Sequence, residues 1–204
     1  MLCHDEMITA TTIQTLQSRI ARFDDQQAYR ELFTSLYSYL FQFAKTLVKA
    51  KEPAEEIISD VFIKVWEKRK DLEKIDNLKL YLYVSTRNHA YNYLDKQKRS
   101  ANTTNPLEDF QADFTSVYFD PEQLLITADM LTRIQKAIDQ LPPKCKMIFK
   151  LAKEDGLKYR EVAELLNISI KTVENQLAIA LQKIGSAVSF DIQKTVSSSI
   201  RHTR

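Results

Sequence analysis

The stretch that decides the fold is YREVAELLNISIKTVENQLAIALQKI, residues 159–184. Its apolar residues recur at intervals of three and four, which is the period of an amphipathic α-helix. Asn167 interrupts the pattern, and asparagine is among the residues that best tolerate a left-handed backbone. The pattern therefore predicts two helices, residues 158–166 and 169–185, that meet at Asn167. The residues on one third of the second helix are predicted to face the core: Val173, Leu177, Ala180, Leu181 and Ile184.

The same stretch resembles a helix-turn-helix. Ala163 is small where the two helices approach each other, Asn167 occupies the turn, and Val173 anchors the second helix. In DNA-binding proteins of this kind, exposed residues near the start of the second helix reach base edges in the major groove. The residues expected to contact DNA here are Lys158, Arg160, Ser169, Lys171, Thr172, Glu174, Asn175, Ala178, Ile179 and Gln182.

The side chains of the second helix suit the recognition of base edges. Lys171 can donate to guanine, Asn175 can form two hydrogen bonds with adenine, and Glu174 can accept from cytosine. Ser169 is expected to cap the helix, and with Thr172 it can also reach phosphate. The alternative is a helical hairpin with a solvated polar face, since the charges of the stretch nearly cancel. The residue spacing combined with the T-V-E-N string favours DNA binding.

Glycine is scarce in this chain, with 2 glycines among 204 residues. Loops that hold nucleotide phosphates need several closely spaced glycines, and long arrays of β-hairpins rely on glycine turns. The composition therefore predicts an all-α protein without such loops. The three histidines have neither metal-ligand spacing nor a nearby nucleophile. We expect no enzyme activity, no metal or other cofactor, and no small-molecule substrate.

The first half of the chain carries three further helical patterns. They predict helices over residues 24–50, from Pro53 onwards, and over residues 78–99 with Asn77 as N-cap. On the third helix, amides, an aromatic ring and cations gather on one face, which suits a partly unpaired DNA strand. The alternative is an ordinary basic helix end favoured by the helix dipole. The apolar stripe predicted for this helix is Leu80, Tyr83, Val84, Tyr91 and Leu94.

The segment after the third helix changes character. Residues 100–129 contain six acidic residues and no lysine or arginine. Apolar periodicity fails until about Pro121, which predicts two helical domains joined by a flexible acidic linker. The expected divisions are an N-terminal extension (1–23), a first domain (24–99), the linker (100–120), a second domain (121–188) and a polar tail (189–204).

Localisation can also be predicted from the sequence. No apolar run approaches the roughly 18 to 20 residues of a membrane span. Asp5 and Glu6 interrupt the region where a secretory signal needs an apolar core. With two cysteines, Cys3 and Cys145, at most one disulfide can form. We therefore expect a reduced, cytoplasmic protein.

The two domains together resemble a bacterial sigma factor of the extracytoplasmic-function (ECF) type, within the sigma-70 family. AEEIISDVFIKVWEKR, residues 54–69, is similar to region 2.2, which docks on the clamp of core RNA polymerase. LKLYLYVSTRNHAYNYLDKQKR, residues 78–99, is similar to regions 2.3 and 2.4, which melt and read the promoter −10 element. Residues 159–184 correspond to region 4.2, which reads the −35 element. The resemblance covers about residues 24–188.

The resemblance implies roles for individual residues. The loop of residues 72–77 is expected to capture a −10 base flipped from the duplex. Exposed parts of Phe62 and Trp66 are expected at the polymerase surface, together with Asp60, Lys64 and Glu67. The alternative for the two aromatic residues is a place in the core. Contacts with the −10 element are expected from Asp76, Asn77, Asn88, His89, Asn92, Tyr93, Lys96, Lys98 and Arg99.

The implied partners are core RNA polymerase, through its clamp and flap, promoter DNA, and an anti-sigma factor. The resemblance also implies that the acidic linker runs through the active-site cleft of the polymerase, the alternative being a merely soluble linker. A competing hypothesis is an autonomous helix-turn-helix regulator that binds operator DNA as a dimer. Such a regulator needs a symmetric dimerisation helix, whereas this sequence offers a polymerase-docking helix and a second DNA-reading helix.

Overall fold

The structure is a computed structural model that describes the backbone of residues 8–101 and 128–200 and the side chains of residues 8–99 and 130–187. These residues form helices and contain no strand, so the predicted all-α fold is confirmed. The chain divides into two compact units, residues 1–109 and 110–204. Most of the expected acidic linker lies outside the described residues.

The described residues of the first unit form a bundle of four α-helices. Asp25 starts the second helix, because its carboxylate accepts hydrogen bonds from the backbone N–H groups of Gln27 at 2.9 Å and Ala28 at 3.0 Å. Leu32, Leu36 and Leu40 of that helix are almost completely buried. The elements are α1 (Ala10–Phe23), α2 (Gln26–Val48), α3 (Lys51–Glu67), a 3-10 helix (Arg69–Lys74) and α4 (Leu78–Ala101).

Helix α1 lies in the segment that was expected to be an N-terminal extension. Thr9 caps it by accepting from the backbone N–H of Thr12 at 3.1 Å. Ile13, Leu16 and Ile20 are buried and lie at helical spacing. Helix α1 packs against α2, α4 and the 3-10 helix. The sequence signal was this short apolar repeat, and it makes α1 part of the first unit's core.

The predicted apolar stripe of α4 was partly wrong. Tyr83 is buried as expected, but Tyr91 is 48% exposed. The buried face instead includes Leu82, Thr86 and Ala90. The first turns of α4 alternate apolar and polar residues, so several stripes fit the sequence equally well. Packing against α2 and α3 selects the stripe that contains small Ala90.

The second unit consists of α5 (Ala128–Asp139), α6 (Pro143–Phe149) with a π-helical continuation (Lys150–Glu154), α7 (Tyr159–Leu166) and α8 (Ile170–Ile200). Helix α8 passes through most of the segment that was expected to be a polar tail. The predicted start of the second domain, residue 121, lies outside the described residues.

The core of the second unit contains most, but not all, of the predicted residues of α8. Val173, Leu177 and Ala180 are buried, and Ile184 is half-buried. Leu181 was predicted to be core and is wrong, because 51% of it is exposed. Leu181 directly follows the buried Ala180, and one residue rotates an α-helix by about 100°, so the Leu181 side chain faces away from α5, α6 and α7.

None of the helices in the described part of the chain combines the length and the apolar character that a membrane span needs.

Candidate nucleic-acid interface

The corner of the helix-turn-helix forms at Asn167. Its φ of 53° and ψ of 50° place it in the left-handed region, as predicted. Its backbone N–H donates to the carbonyl of Glu164 at 3.3 Å, and that of Ile168 donates to the carbonyl of Ala163 at 3.0 Å. These bonds satisfy carbonyls that the end of α7 leaves without helical partners. Asn167 therefore ends α7 where most such motifs use glycine.

Two hydroxyl groups start α8. Ser169 Oγ accepts from the backbone N–H of Thr172 at 3.0 Å, and the hydroxyls of Ser169 and Thr172 are 2.8 Å apart. Ser169 is thus the N-cap, as predicted. Because both hydroxyls already take part in the cap, a phosphate bound here would have to share them.

The exposed face of α8 carries the predicted base-reading residues. Lys171 Nζ lies 3.3 Å from Glu174 Oε2, an exposed pair one helical turn apart. This pair partly neutralises each charge, so Lys171 must release Glu174 to reach a guanine. The structure leaves the other members of the predicted face exposed, namely Asn175, Ala178, Ile179 and Gln182.

Two predicted residues lie at the start of α7. Lys158 and Arg160 are both exposed. The backbone N–H of Lys158 donates to a carboxylate oxygen of Glu161 at 2.8 Å, which fixes the first turn of α7. Their cationic ends can therefore extend from a well-ordered helix start towards phosphate.

The candidate −10 face lies on α4. Asn88 and Asn92 are exposed four residues apart, and Lys96 and Arg99 extend this exposed surface towards the end of the helix. Tyr93 and Lys98 are half-buried, so the structure orients them less directly towards solvent. The predicted residues therefore divide into an exposed amide and cation face and a partly covered flank.

Sequence reasoning missed two aromatic residues of this face. Tyr81 is 38% exposed and Tyr91 is 48% exposed. Tyr81 lies seven residues before Asn88, so the two share one side of α4. Tyr91 had been placed in the apolar stripe. The sequence signal for both tyrosines is the four-residue spacing of Asn88 and Asn92. Two amides one helical turn apart mark the side of α4 that faces solvent, and Tyr81 and Tyr91 lie on that side.

His89 does not face solvent as a simple DNA contact. Its Nε2 lies 2.6 Å from Lys64 Nζ on α3, and its Nδ1 lies 2.8 Å from the carbonyl oxygen of Ser85. An ammonium group only donates, so Nε2 must accept, and Nδ1 must carry the hydrogen that goes to Ser85. The hydrogen bond between Lys64 and His89 links α4 to α3.

The loop before α4 is held in place by α1. Gln17 Nε2 donates to the backbone carbonyls of Leu72 at 2.5 Å and Ile75 at 2.8 Å. Asn77 caps α4, with its Oδ1 accepting from the backbone N–H of Leu80 at 3.0 Å. The side-chain oxygen of Asn77 is therefore already engaged in the cap, whereas Asp76 is exposed.

The expected polymerase surface on α3 needs one correction. Asp60, Lys64 and Glu67 are exposed, but Phe62 is 2% exposed. The Phe62 ring packs edge-on against Phe33, with 4.8 Å between ring centroids. The expectation that part of Phe62 is exposed is therefore wrong, because aromatic rings of α2 cover it.

Trp66 is half-buried and presents only part of its ring. Tyr29 packs against it with centroids 5.0 Å apart, and the guanidinium of Arg69 lies 4.7 Å from its centroid. Arg69 also forms an ion pair with Asp24. These contacts fix the orientation of the indole, so the part of Trp66 that remains exposed is rigid.

The described residues thus combine a helix-turn-helix in one unit with an amide-rich and aromatic helix face in the other, which defines a helical DNA-binding protein. Residues 32–100 match the family Sigma-70 region 2, and residues 131–184 match Sigma-70, region 4. The two segments together span more than half of the chain. The chain belongs to the sigma-70 family and to its ECF type.

Full-length relatives support this assignment. The chain is 23% identical over 182 residues to the ECF RNA polymerase sigma-E factor of Escherichia coli K12, covering 87% of this chain and 94% of the relative. It is 22% identical over 187 residues to the RNA polymerase sigma-H factor of Pseudomonas aeruginosa, covering 89% and 96%. The fold is similar to CnrH, solved in complex with the cytosolic domain of CnrY, with a TM-score of 0.50, 18% identity and coverage of 88% and 99%.

Proposed function

We propose that this protein directs core RNA polymerase to promoters that have both a −10 and a −35 element, and that it takes part in melting the −10 element. The observation that carries the proposal is the presence, in one chain, of both sigma-70 segments with their polar helix faces exposed. The hypothesis of an autonomous dimeric regulator is not favoured, because the relatives that match 87% and 89% of this chain are sigma factors.

The −35 element is read by α8. Asn175 pairs with a base through its amide, while Lys171 and Glu174 exchange their mutual ion pair for contacts with guanine and cytosine. Gln182, Ala178 and Ile179 extend the contact along the groove. Lys158, Arg160, Ser169 and Thr172 bind the adjacent phosphates.

The −10 element is bound by α4 and the loop before it. Tyr81 and Tyr91 stack on unpaired bases, and the amides of Asn88 and Asn92 bond base edges. Lys96 and Arg99 follow the phosphates. Tyr93 and Lys98 support this face from its flank, and His89 acts by fixing α4 against α3.

The polymerase clamp is bound by α3 through Asp60, Lys64, Glu67 and the exposed part of Trp66. Phe62 supports this surface from beneath. We also propose that the second unit binds the polymerase flap, and that the acidic linker enters the active-site cleft. The site of action is the cytoplasm, where RNA polymerase works.

We expect no catalysis by this chain itself, because its proposed sites are surfaces that recognise DNA and protein. Regulation by an anti-sigma factor is part of the proposal. The resemblance implies such a partner, and the related fold of CnrH was solved bound to the cytosolic domain of CnrY.

Run-off transcription with purified core polymerase tests the proposal. Core enzyme alone and core enzyme with this protein are compared on a library of genomic promoter fragments. Specific transcripts only in the presence of the protein are expected, with a shared −10 and −35 sequence upstream of their start sites. An Asp60→Arg variant that folds normally should assemble poorly with core polymerase, because it places a cation in the proposed docking surface. Binding of DNA as a dimer, without specific transcripts, would contradict the proposal.

A further inference from the structure

A polar cleft of about 420 Å³ lies between α1 and the loop before α4. Its volume falls within the roughly 300 to 1,000 Å³ of small-ligand pockets. Gln14, Gln17, Ser18 and Arg22 line it from α1, and they recur at spacings of three and four, so they form one side of that helix. Glu73, Ile75 and Asp76 form the opposite wall, in the loop that the proposed function assigns to the −10 element.

Some of the lining residues hold the cleft open. Gln17 bonds two backbone carbonyls of the loop, as described above, and it is 6% exposed. Arg22 Nε donates to Glu73 Oε1 at 2.5 Å, which ties the end of α1 to the 3-10 helix. These two connections fix the distance between the walls, so the cleft is preformed.

Other lining residues are available to a ligand. Within the described part of the chain, the side chains of Gln14, Ser18 and Asp76 form no hydrogen bond or ion pair. The three together offer an amide with donors and an acceptor, a hydroxyl, and a carboxylate acceptor. Ile75 adds an apolar surface to the loop wall. This is the combination that a flat, polar-edged ring requires.

The charge of the cleft excludes phosphate as its ligand. Arg22 is already paired with Glu73, and Asp76 adds a second carboxylate, so the lining carries a net negative charge. A phosphate would be repelled, whereas an uncharged base presents donors that a carboxylate accepts. A base with an exocyclic amine fits best, because an amine donates to Asp76.

We propose that α1 forms one wall of a pocket for an unstacked promoter base, and that Gln14 and Ser18 help to determine which base is accepted. This inference rests on the proposed function and adds to it a specificity role for a helix that lies before both matched family segments. Asp76 accepts from the amine of the base, and Gln14 and Ser18 contact the rest of its polar edge.

The test measures binding of the reconstituted holoenzyme to forked promoter DNA. Each unpaired position of the −10 element is set in turn to all four bases. The wild-type protein should prefer an amine-bearing base at one position. Gln14→Ala should reduce that preference about 5-fold or more, which is the lower end of the contribution of one amide–base pair. Ser18→Ala should change the preference at the same position.

The matched control is Gln27→Ala, the same substitution at an exposed site on α2 that does not line the cleft. It should leave the order of bases unchanged. Thermal unfolding of each variant shows whether α1 remains folded.

Three results would overturn the inference. Unchanged base preferences in both α1 variants would show that α1 does not contact the base. An equal loss of affinity for all four bases would show that α1 only supports the fold. Absence of promoter-specific transcription by the wild-type protein would refute the proposed function as well. Normal transcription with unchanged preferences would refute this inference alone.

Discussion

Lys64 donates a hydrogen bond to His89, with 2.6 Å between Nζ and Nε2. Lys64 belongs to the helix that we assign to polymerase docking, and His89 to the helix that we assign to the −10 element. The two proposed surfaces therefore meet at one hydrogen bond, and engagement of Lys64 by the polymerase would compete with its bond to His89.

A double-mutant cycle should detect this link. Lys64→Ala and His89→Ala each remove one partner, so their effects on the free energy of unfolding should be less than additive by about 0.5 kcal/mol or more. Urea unfolding of the two single variants and the double variant measures the difference. Lys68→Ala combined with His89→Ala provides the control and should be additive within about 0.3 kcal/mol. Additivity in both pairs would mean that the bond contributes nothing in solution.

Substitution of Asn175 should weaken recognition of the −35 element. Asn175→Ala is expected to cost about 1 to 3 kcal/mol of binding free energy for the cognate element, because it removes two hydrogen bonds to one base. Holoenzyme binding to matched and single-base-changed −35 sequences measures the effect. Gln140→Ala removes an exposed amide outside the helix-turn-helix and should have no effect. A uniform loss on every sequence would assign Asn175 to phosphate contact instead.

Lys96→Ala should flatten the salt dependence of promoter binding. Each lost phosphate contact lowers the slope of log affinity against log salt by about 0.9 on duplex DNA and about 0.7 on single strands. Titrations at several salt concentrations give the slope. The control is Lys51→Ala, at an exposed lysine on α3 that pairs with Glu55. An unchanged slope for Lys96→Ala would remove this residue from the DNA interface.

Asn167→Ala should destabilise the second unit by about 1 to 2 kcal/mol, because alanine has a Cβ that disfavours the left-handed backbone and lacks the compensating polar side chain. Asn167→Gly should be nearly neutral or stabilising. Chemical unfolding of the protein, followed by a probe in the second unit, compares the two variants. Equal stability of both variants would argue against a left-handed conformation at this position.

The ion pair of Asp139 and Lys146 should make the second unit sensitive to acid. Burial raises the pKa of Asp139, but hydrogen bonds from Lys146 at 2.7 Å and Gln135 at 3.1 Å, together with the positive charges of Lys146 and Lys150, hold the pKa below its usual value. The lowered pKa stabilises the folded state at pH values above about 3.9, the usual pKa of an aspartate. This stabilisation is lost as the pH falls through the lower pKa that Asp139 has in the folded protein.

Asp139→Asn should therefore cost about 1 to 3 kcal/mol near neutral pH, since it leaves the buried Lys146 ammonium without its carboxylate. Its stability should also change less between pH 5 and pH 3 than that of the wild-type protein. Urea unfolding across this pH range provides the comparison. Parallel curves for the two proteins would assign the acid sensitivity to other carboxylates.

The second unit was the more predictable from sequence. Three of its residues each suit one structural position only. Asn167 suits a left-handed turn, Ser169 suits a helix N-cap, and Val173 suits the core. Leu181 misled the prediction because an apolar residue beside a buried stripe fits the same third of the helix. Only packing against α5, α6 and α7 decides which of the candidate residues is covered.

The first unit depended more on tertiary contacts. Leu, Tyr and Val alternate at the start of α4, so periodicity alone did not place Tyr91. In the sequence, Phe62 is compatible with both a core and a surface position. In the structure, the rings of Tyr29 and Phe33 pack against it and place it in the core. Helix α1 was missed because its apolar repeat is short, and the Lys64–His89 bond joins residues 25 positions apart in sequence.

The amide of Gln17 holds the loop before α4 by two hydrogen bonds, and neither partner carries a charge. Ions in solution screen contacts between lysine or arginine and phosphate, but they have little effect on a buried bond between neutral groups. The position of the loop before α4, which forms one wall of the proposed base pocket, should therefore persist at salt concentrations that release the protein from DNA. Affinity and selectivity can then vary independently as the ionic strength of the cell changes.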